Sequence, residues 1–419
     1  MEEDDDFIRF AKANLGAENV KKEIEEAVRK GGPGGLAGVL QEKNESWKNV
    51  PLNIAVIGAS GTGKSCFINA SRSITAEDEG GAAVGIVETT TEPKPYAHPE
   101  NGLIIYWDLP GCGTPGFANH DDYLKKIEFE RYDFYLLLSA NRFTADDQWL
   151  AKTIRDAKKN FFYVRTQSDI DVEKHRKAYP RTWAEKPVKE ILDLVRNDII
   201  HKLGLSPEEQ CNVFLINSYE VDKLDFVELQ RKILNSLPKL KREAYLFSLN
   251  VMGTLSKTIL KEKVEALRGY TWKTGLISGA VAIIPVPGVS IVADIALILT
   301  QSIFYMRQLG LDPISLQAAA NAHAVKLEDL QEALTKYMPL VLTKEFLLGL
   351  LTTVARPLMV GQAAEEVLKF FPLIGSCIAP PLSFALTWRT LAAVLTKMEE
   401  AANNIIDICV AKERQKAEN

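Results

Sequence analysis

The sequence predicts an α/β domain with a mostly parallel sheet and helices on both faces, joined to an all-α domain built from the two ends of the chain. Three observations carry this. Residues 51–238 alternate short apolar runs with helical patterns. The first run passes through a glycine-rich turn directly into a helical pattern. Residues 239–419 hold almost no strand signal, yet apolar residues recur there at helical spacing, as they do in residues 7–50. The expected division is therefore 1–50, N-terminal helices packing on the C-terminal helices; 51–238, the α/β domain; and 239–419, the helical domain.

Composition sets wide bounds. The 419 residues are 46% hydrophobic and 25% charged, as in an ordinary globular protein. Net charge is −5, from 50 basic and 55 acidic residues, so no overall field favours nucleic acid. Cys66, Cys112, Cys211, Cys377 and Cys409 are scattered and odd in number. They suggest neither a disulfide framework nor a metal knuckle, which suits a reducing compartment. The acidic start, Met1-Glu2-Glu3-Asp4-Asp5-Asp6, is unlike a secretory signal, and Glu2 is not the glycine that myristoylation needs. No prenylation box ends the chain. The expected location is cytoplasmic, with peripheral contact with intracellular membranes as the open question. His98, His120, His175, His201 and His323 show no ligand spacing.

In chain order, Phe7–Ala11, Val20–Val28 and Leu36–Trp47 read as helices, broken by Gly31-Gly32-Pro33-Gly34-Gly35. They are too short to fold alone. Asn53–Ile57 then reads as a buried strand. It leads into Gly58-Ala59-Ser60-Gly61-Thr62-Gly63-Lys64-Ser65, and Cys66-Phe67-Ile68 opens a helix. This is the G-x-x-x-x-G-K-[ST] pattern of a phosphate-binding loop. Glycines let the backbone curl so that N–H groups converge on phosphate oxygens, and the helix N-terminus adds a favourable dipole. Lys64 would reach the β- and γ-phosphates, and the Ser65 hydroxyl would ligate Mg²⁺.

A second strand, Leu103–Trp107, runs into Asp108-Leu109-Pro110-Gly111. Asp-x-x-Gly at a strand end, downstream of a phosphate loop, is the second nucleotide element. Asp108 would hold the Mg²⁺ shell, and the Gly111 N–H would sense the γ-phosphate. Between these lies Glu88-Thr89-Thr90-Thr91, where a threonine would bind Mg²⁺ and report the γ-phosphate. Three neighbouring threonines leave the choice open. Phe134–Leu138 is the next strand candidate. Phe161–Arg165 follows and ends in Thr166-Gln167-Ser168-Asp169. The Asp169 carboxylate suits the guanine N1–H and 2-amino group, a donor pair that adenine does not offer. Gln167 stands where this base-reading element usually carries a lysine that covers the base. The last strand candidate, Val213–Ile216, ends at Asn217-Ser218, where a further base-contacting loop belongs. Cys112 occupies the place where many small GTPases carry a water-positioning Gln.

Within 239–419, Ser256–Leu267 and Lys326–Leu334 are amphipathic. Thr274–Thr300 is more apolar, with Asp294 its one charge, but Pro285 and Pro287 divide it into halves suited to buried helices. Phe346–Ala385 is also apolar and is interrupted by Arg356, Glu365, Glu366 and Lys369. Buried helical packing is the expectation for both; the alternatives are a transmembrane role or regulated membrane insertion for the first and an amphipathic membrane-contact element for the second.

Taken together, Gly58–Ser65, Glu88-Thr89-Thr90, Trp107-Asp108-Leu109-Pro110-Gly111, Arg131-Tyr132-Asp133-Phe134 and Phe162-Tyr163-Val164-Arg165-Thr166 resemble the interferon-inducible immunity-related GTPases. The resemblance implies a Ras-like P-loop GTPase domain between N- and C-terminal helices, binding GTP or GDP with Mg²⁺. It implies GTP-dependent self-assembly across a G-domain contact, dynamin-like, and action on intracellular membranes. It assigns Thr90 as the switch threonine and Glu88 as the glutamate tied to activation across the dimer. The implied nucleotide contacts are Gly58, Ala59, Ser60, Gly61, Thr62, Gly63, Lys64, Ser65, Cys66, Thr166, Gln167, Asp169, Asn217 and Ser218. The implied Mg²⁺ ligands are Ser65, Thr90 and Asp108. Lys64, Glu88, Thr90 and Gly111 are the implied catalytic set. Cys112 and Gln167 motivate a second reading, a catalytically weak, nucleotide-gated scaffold or regulator of related GTPases.

Overall fold

The strands of the α/β domain are Leu52–Ile57 (β1), Lys94–His98 (β2), Asn101–Asp108 (β3), Phe134–Ser139 (β4), Asn160–Arg165 (β5) and Val213–Leu215 (β6). They form one sheet in the order β2-β3-β1-β4-β5-β6. Only the β2–β3 pair is antiparallel. This computed structural model describes residues 46–85, 90, 92–111, 120–140, 144–183, 186–206, 209–281, 289–337 and 380–418, with a few isolated positions before 46. The chain separates into two units, Trp47–Ile259 and a second made of Met1–Ser46 with Leu260–Asn419.

The mostly parallel sheet matches the expected class, and the physical reason is visible in β1. Ile54, Ala55, Val56 and Ile57 are all buried, because a central parallel strand is covered on both faces. Its register sets Val56 opposite Asp108 of β3 and Ile57 opposite Leu137 of β4. Its partners therefore lie on opposite sides, and the chain's course through the sheet changes direction there. In open α/β sheets the crevice at the carboxyl end of such a point is where ligands bind. A core of Trp107, Tyr123, Tyr132, Tyr135, Leu150 and Tyr163 covers one face. The helix Ala145–Asp156 packs there through Leu150, Ala151 and Ile154, and a capping box between Thr144 and Asp147 closes its N-terminus.

β2 was not among the strands expected from sequence. Lys94-Pro95-Tyr96-Ala97-His98 has no apolar run and contains a proline. It forms because β3 supplies an edge to pair with, and an edge strand tolerates proline.

The second unit contains the helices Leu260–Val281 (the remainder of Lys257–Val281), Val289–Gln308, Pro313–His323, Leu327–Tyr337 and Pro380–Glu418. The apolar stretch Thr274–Thr300 contributes to two of these helices; residues 282–288 lie outside the described residues. Ile277, Leu297 and Ile298 are buried, and so are polar groups beside them. The Ser278 hydroxyl donates to Asp294 Oδ1 at 2.6 Å, and Thr387 Oγ1 donates to Ser278 Oγ at 2.9 Å. Asn44 Nδ2 donates to Gln301 Oε1 at 2.9 Å, which ties the early chain to these helices. No helix among the described residues is long and apolar enough to cross a membrane. Most of Phe346–Ala385 lies outside the described residues.

Candidate nucleotide site

The site is built at the carboxyl ends of β1, β3, β5 and β6. After β1 the backbone turns through Gly58 at φ 154°, Gly61 at 76° and Gly63 at 80°. Gly58 admits no side chain: a Cβ there would lie 2.1 Å from the Leu138 carbonyl oxygen of β4. Gly63 then begins the helix Lys64–Ser71 in the left-handed conformation, and no side chain caps that start. The first-turn N–H groups of a helix have no internal acceptor, so they suit an anion. Lys64 is only 8% exposed. Its Nζ donates to the carbonyls of Gly58 and Ala59, both at 3.1 Å, which holds the ammonium inside the curl. Thr62 Oγ1 donates to the Ala59 carbonyl at 2.9 Å and tightens the same turn.

Asp108 ends β3 beside this loop, 1% exposed. Ser65 Oγ donates to its Oδ2 at 2.9 Å and Thr90 Oγ1 to the same oxygen at 3.2 Å. All three residues expected to hold Mg²⁺ therefore meet on one carboxylate. Burial pushes the Asp108 carboxyl above its usual range; the Lys64 charge opposes this, followed by the Ser65 and Thr90 hydrogen bonds and the Lys94 charge. Asp108 Oδ1 has no hydrogen-bond partner among the described residues, although buried. A buried carboxylate oxygen left over beside two hydroxyls is a donor set that fits a hard divalent cation. Gly111 follows closely: a Cβ there would lie 2.9 Å from the Ser60 nitrogen, so only glycine brings this backbone against the loop.

The other end of the site is formed by two loops. Thr166 Oγ1 donates to the Thr62 carbonyl at 2.7 Å and lies 3.1 Å from the Ser139 carbonyl. It clamps the loop after β5 to the phosphate loop. Gln167 takes a left-handed conformation, φ 55°, at the start of helix Ser168–Ala178. Asp169 is exposed in the first turn of that helix. Arg165 grips Asp171 through two hydrogen bonds, at 2.8 and 3.1 Å, and steadies the turn. Ser168 N donates to the Ile216 carbonyl at 3.2 Å, which lays the loop after β6 alongside. In that loop Asn217 Oδ1 accepts from Tyr219 N, and Ser218 Oγ is buried without a partner among the described residues.

Thus Gly58–Cys66, Thr90, Asp108, Gly111, Thr166, Gln167, Asp169, Asn217 and Ser218 lie along one edge of the sheet. Glu88 and Cys112 lie outside the described residues. Sequence reasoning missed Lys94, whose partner in the β2–β3 register is Asp108, because the edge strand itself was not legible. Tyr219 of the loop after β6, whose hydroxyl lies 3.3 Å from Cys66 Sγ, belongs to none of the motifs read from the sequence.

A sequence profile described as Interferon-inducible GTPase (IIGP) matches residues 17–359. The chain belongs to the interferon-inducible GTPase family. It is 33% identical over 366 residues to Interferon-inducible GTPase 5 of Rattus norvegicus, covering 87% of this chain and 77% of that protein. It is 34% identical over 354 residues to the Bos taurus protein of the same name, covering 84% and 74%. It is 34% identical over 293 residues to T-cell-specific guanine nucleotide triphosphate-binding protein 2 of Mus musculus, covering 70% and 68%. The family and the P-loop sheet agree: this is a GTPase, and so a hydrolase.

Proposed function

We propose that this interferon-inducible GTPase family member hydrolyses Mg²⁺-bound GTP by GTP-dependent self-assembly through its GTP-binding domain, and acts on intracellular membranes by peripheral contact. The observation that carries the nucleotide part is the meeting of Ser65, Thr90 and Lys64 around Asp108, inside a loop whose curl excludes a side chain at Gly58. One relative is named for binding guanine nucleotide triphosphate, which supports guanine as the base. Asp169, at the end of the β5 loop, is the group that would read it.

In this reading Lys64 and the first-turn amides of Lys64–Ser71 bind the phosphates and stabilise charge that spreads over them in the transition state. Ser65, Thr90 and Asp108 would hold Mg²⁺, which neutralises phosphate charge when bound. The Gly111 backbone lies against the loop, and its N–H would sense the γ-phosphate. Glu88 would act across the dimer. Self-assembly would then supply what a Cys at position 112 cannot, the orientation of attacking water.

The test is GTP turnover per molecule over a range of protein concentrations, with ATP in parallel. Specific activity that rises with concentration for GTP alone is the expected result. Flat, near-zero turnover with intact GTP binding would replace this reading with the nucleotide-gated scaffold or regulator of related GTPases.

A further inference from the structure

The loop after β6 carries an aromatic side chain that no motif accounts for. Tyr219 is 80% exposed, yet its position is defined at two points. Its backbone N–H donates to Asn217 Oδ1 at 3.0 Å, and its hydroxyl lies 3.3 Å from Cys66 Sγ in the first turn of the phosphate-loop helix. The contact with Cys66 also raises the Tyr219 phenol above its ordinary range. Hydrogen bonds therefore close a circuit around the base end of the site. Thr62 is joined to Thr166, Ser168 to Ile216, and Tyr219 back to Cys66. The ring lies on the last link of that circuit. Beside it Ser218 Oγ is buried and has no partner among the described residues, a polar group that a bound ligand could satisfy.

Gln167 stands where a lysine stem would otherwise cover a bound base. An aromatic face is the chemistry that can do this instead, since every base has a π-face to stack upon. We propose that Tyr219 is a nucleotide-contact residue, packing its ring on the purine nucleoside of the bound guanine nucleotide. This rests on the guanine-nucleotide reading of the site.

The experiment measures GDP affinity in Mg²⁺ for the full chain, Tyr219→Phe and Tyr219→Ala, with tripolyphosphate as competitor and thermal unfolding as the control. Tyr219→Ala is expected to weaken GDP by about tenfold, the scale of one lost base stack. Tyr219→Phe, which keeps the ring, stays near wild type. Tripolyphosphate, which has no base, competes equally well in all three. Undiminished GDP affinity in Tyr219→Ala would overturn the proposal. So would an equal loss for tripolyphosphate, because the side chain would then act by holding the Cys66 turn. If the wild-type chain binds no guanine nucleotide, the reading of the site fails first, and the wild-type arm alone reveals it.

Discussion

The two ends of the nucleotide site are built by different means. At the phosphate end, backbone conformation and burial dominate: Gly58 has no room for a Cβ, Lys64 is enclosed, and Asp108 is buried under two hydroxyls. At the base end, side chains on exposed loops dominate. Asp169 and Tyr219 face solvent, and Gln167 sits at positive φ. The phosphate end is bound to the sheet by sterics and tolerates little change. The base end hangs from a few hydrogen bonds and can be retuned. Four measurements break or sharpen this contrast.

The largest effect belongs to Gly58→Ala. The added methyl meets the Leu138 carbonyl, a backbone atom that has nowhere to go. Destabilisation of about 3 kcal/mol or more is expected, read as the denaturant midpoint, with nucleotide binding lost alongside. A stable variant that still binds GDP would show the curl to be more pliable than its contacts suggest.

Next is Lys64→Ala. Removing the ammonium takes away a charged phosphate partner and leaves buried Asp108 without the larger of its countercharges. A loss of about 3 kcal/mol in GTP affinity, roughly a hundredfold, is expected in calorimetry. Comparable binding in the variant would place the triphosphate elsewhere.

Asp169→Ala should act differently. The group is exposed, so stability should hardly move, while the preference for GTP over ATP falls by about 2 kcal/mol. Competition between the two nucleotides reads this directly. An unchanged preference would mean that guanine is recognised by other groups, the Asn217–Ser218 loop first among them.

The smallest effect is assigned to Thr166→Val, which keeps the shape and removes the donor to the Thr62 carbonyl. About 1 kcal/mol of stability is at stake. Because the clamp joins the two ends, its loss should lower nucleotide affinity without altering the GTP-to-ATP ratio. A changed ratio would show that Thr166 positions the base-reading turn itself.

Much of the phosphate end was legible because its chemistry is local. The spacing from Gly58 to Ser65 specifies a turn, and the apolar run before it specifies the strand that delivers the turn. Asp108 was legible because it terminates such a run. β2 was not, since its formation depends on a neighbouring edge and not on its own apolar content. Of the three adjacent threonines only Thr90 lies among the described residues, and its hydrogen bond to Asp108 is a tertiary contact that residue order does not reveal. The fate of Thr274–Thr300 was partly legible from Pro285 and Pro287, which interrupt any single long helix.

From residue order alone come the α/β class, the phosphate loop, the Asp-x-x-Gly strand end and the helical character of the C-terminal part. Each depends on interactions between residues close in sequence, where periodicity and backbone preference act directly. Folding in three dimensions added the antiparallel edge, the shared carboxylate of Asp108, the Leu138 wall behind Gly58, the Thr166 clamp and the placement of Tyr219 against Cys66. The side-chain hydrogen bonds among these contacts join residues from 18 to 153 positions apart, and no local pattern encodes which distant partner a side chain will meet once the sheet has set its strand order.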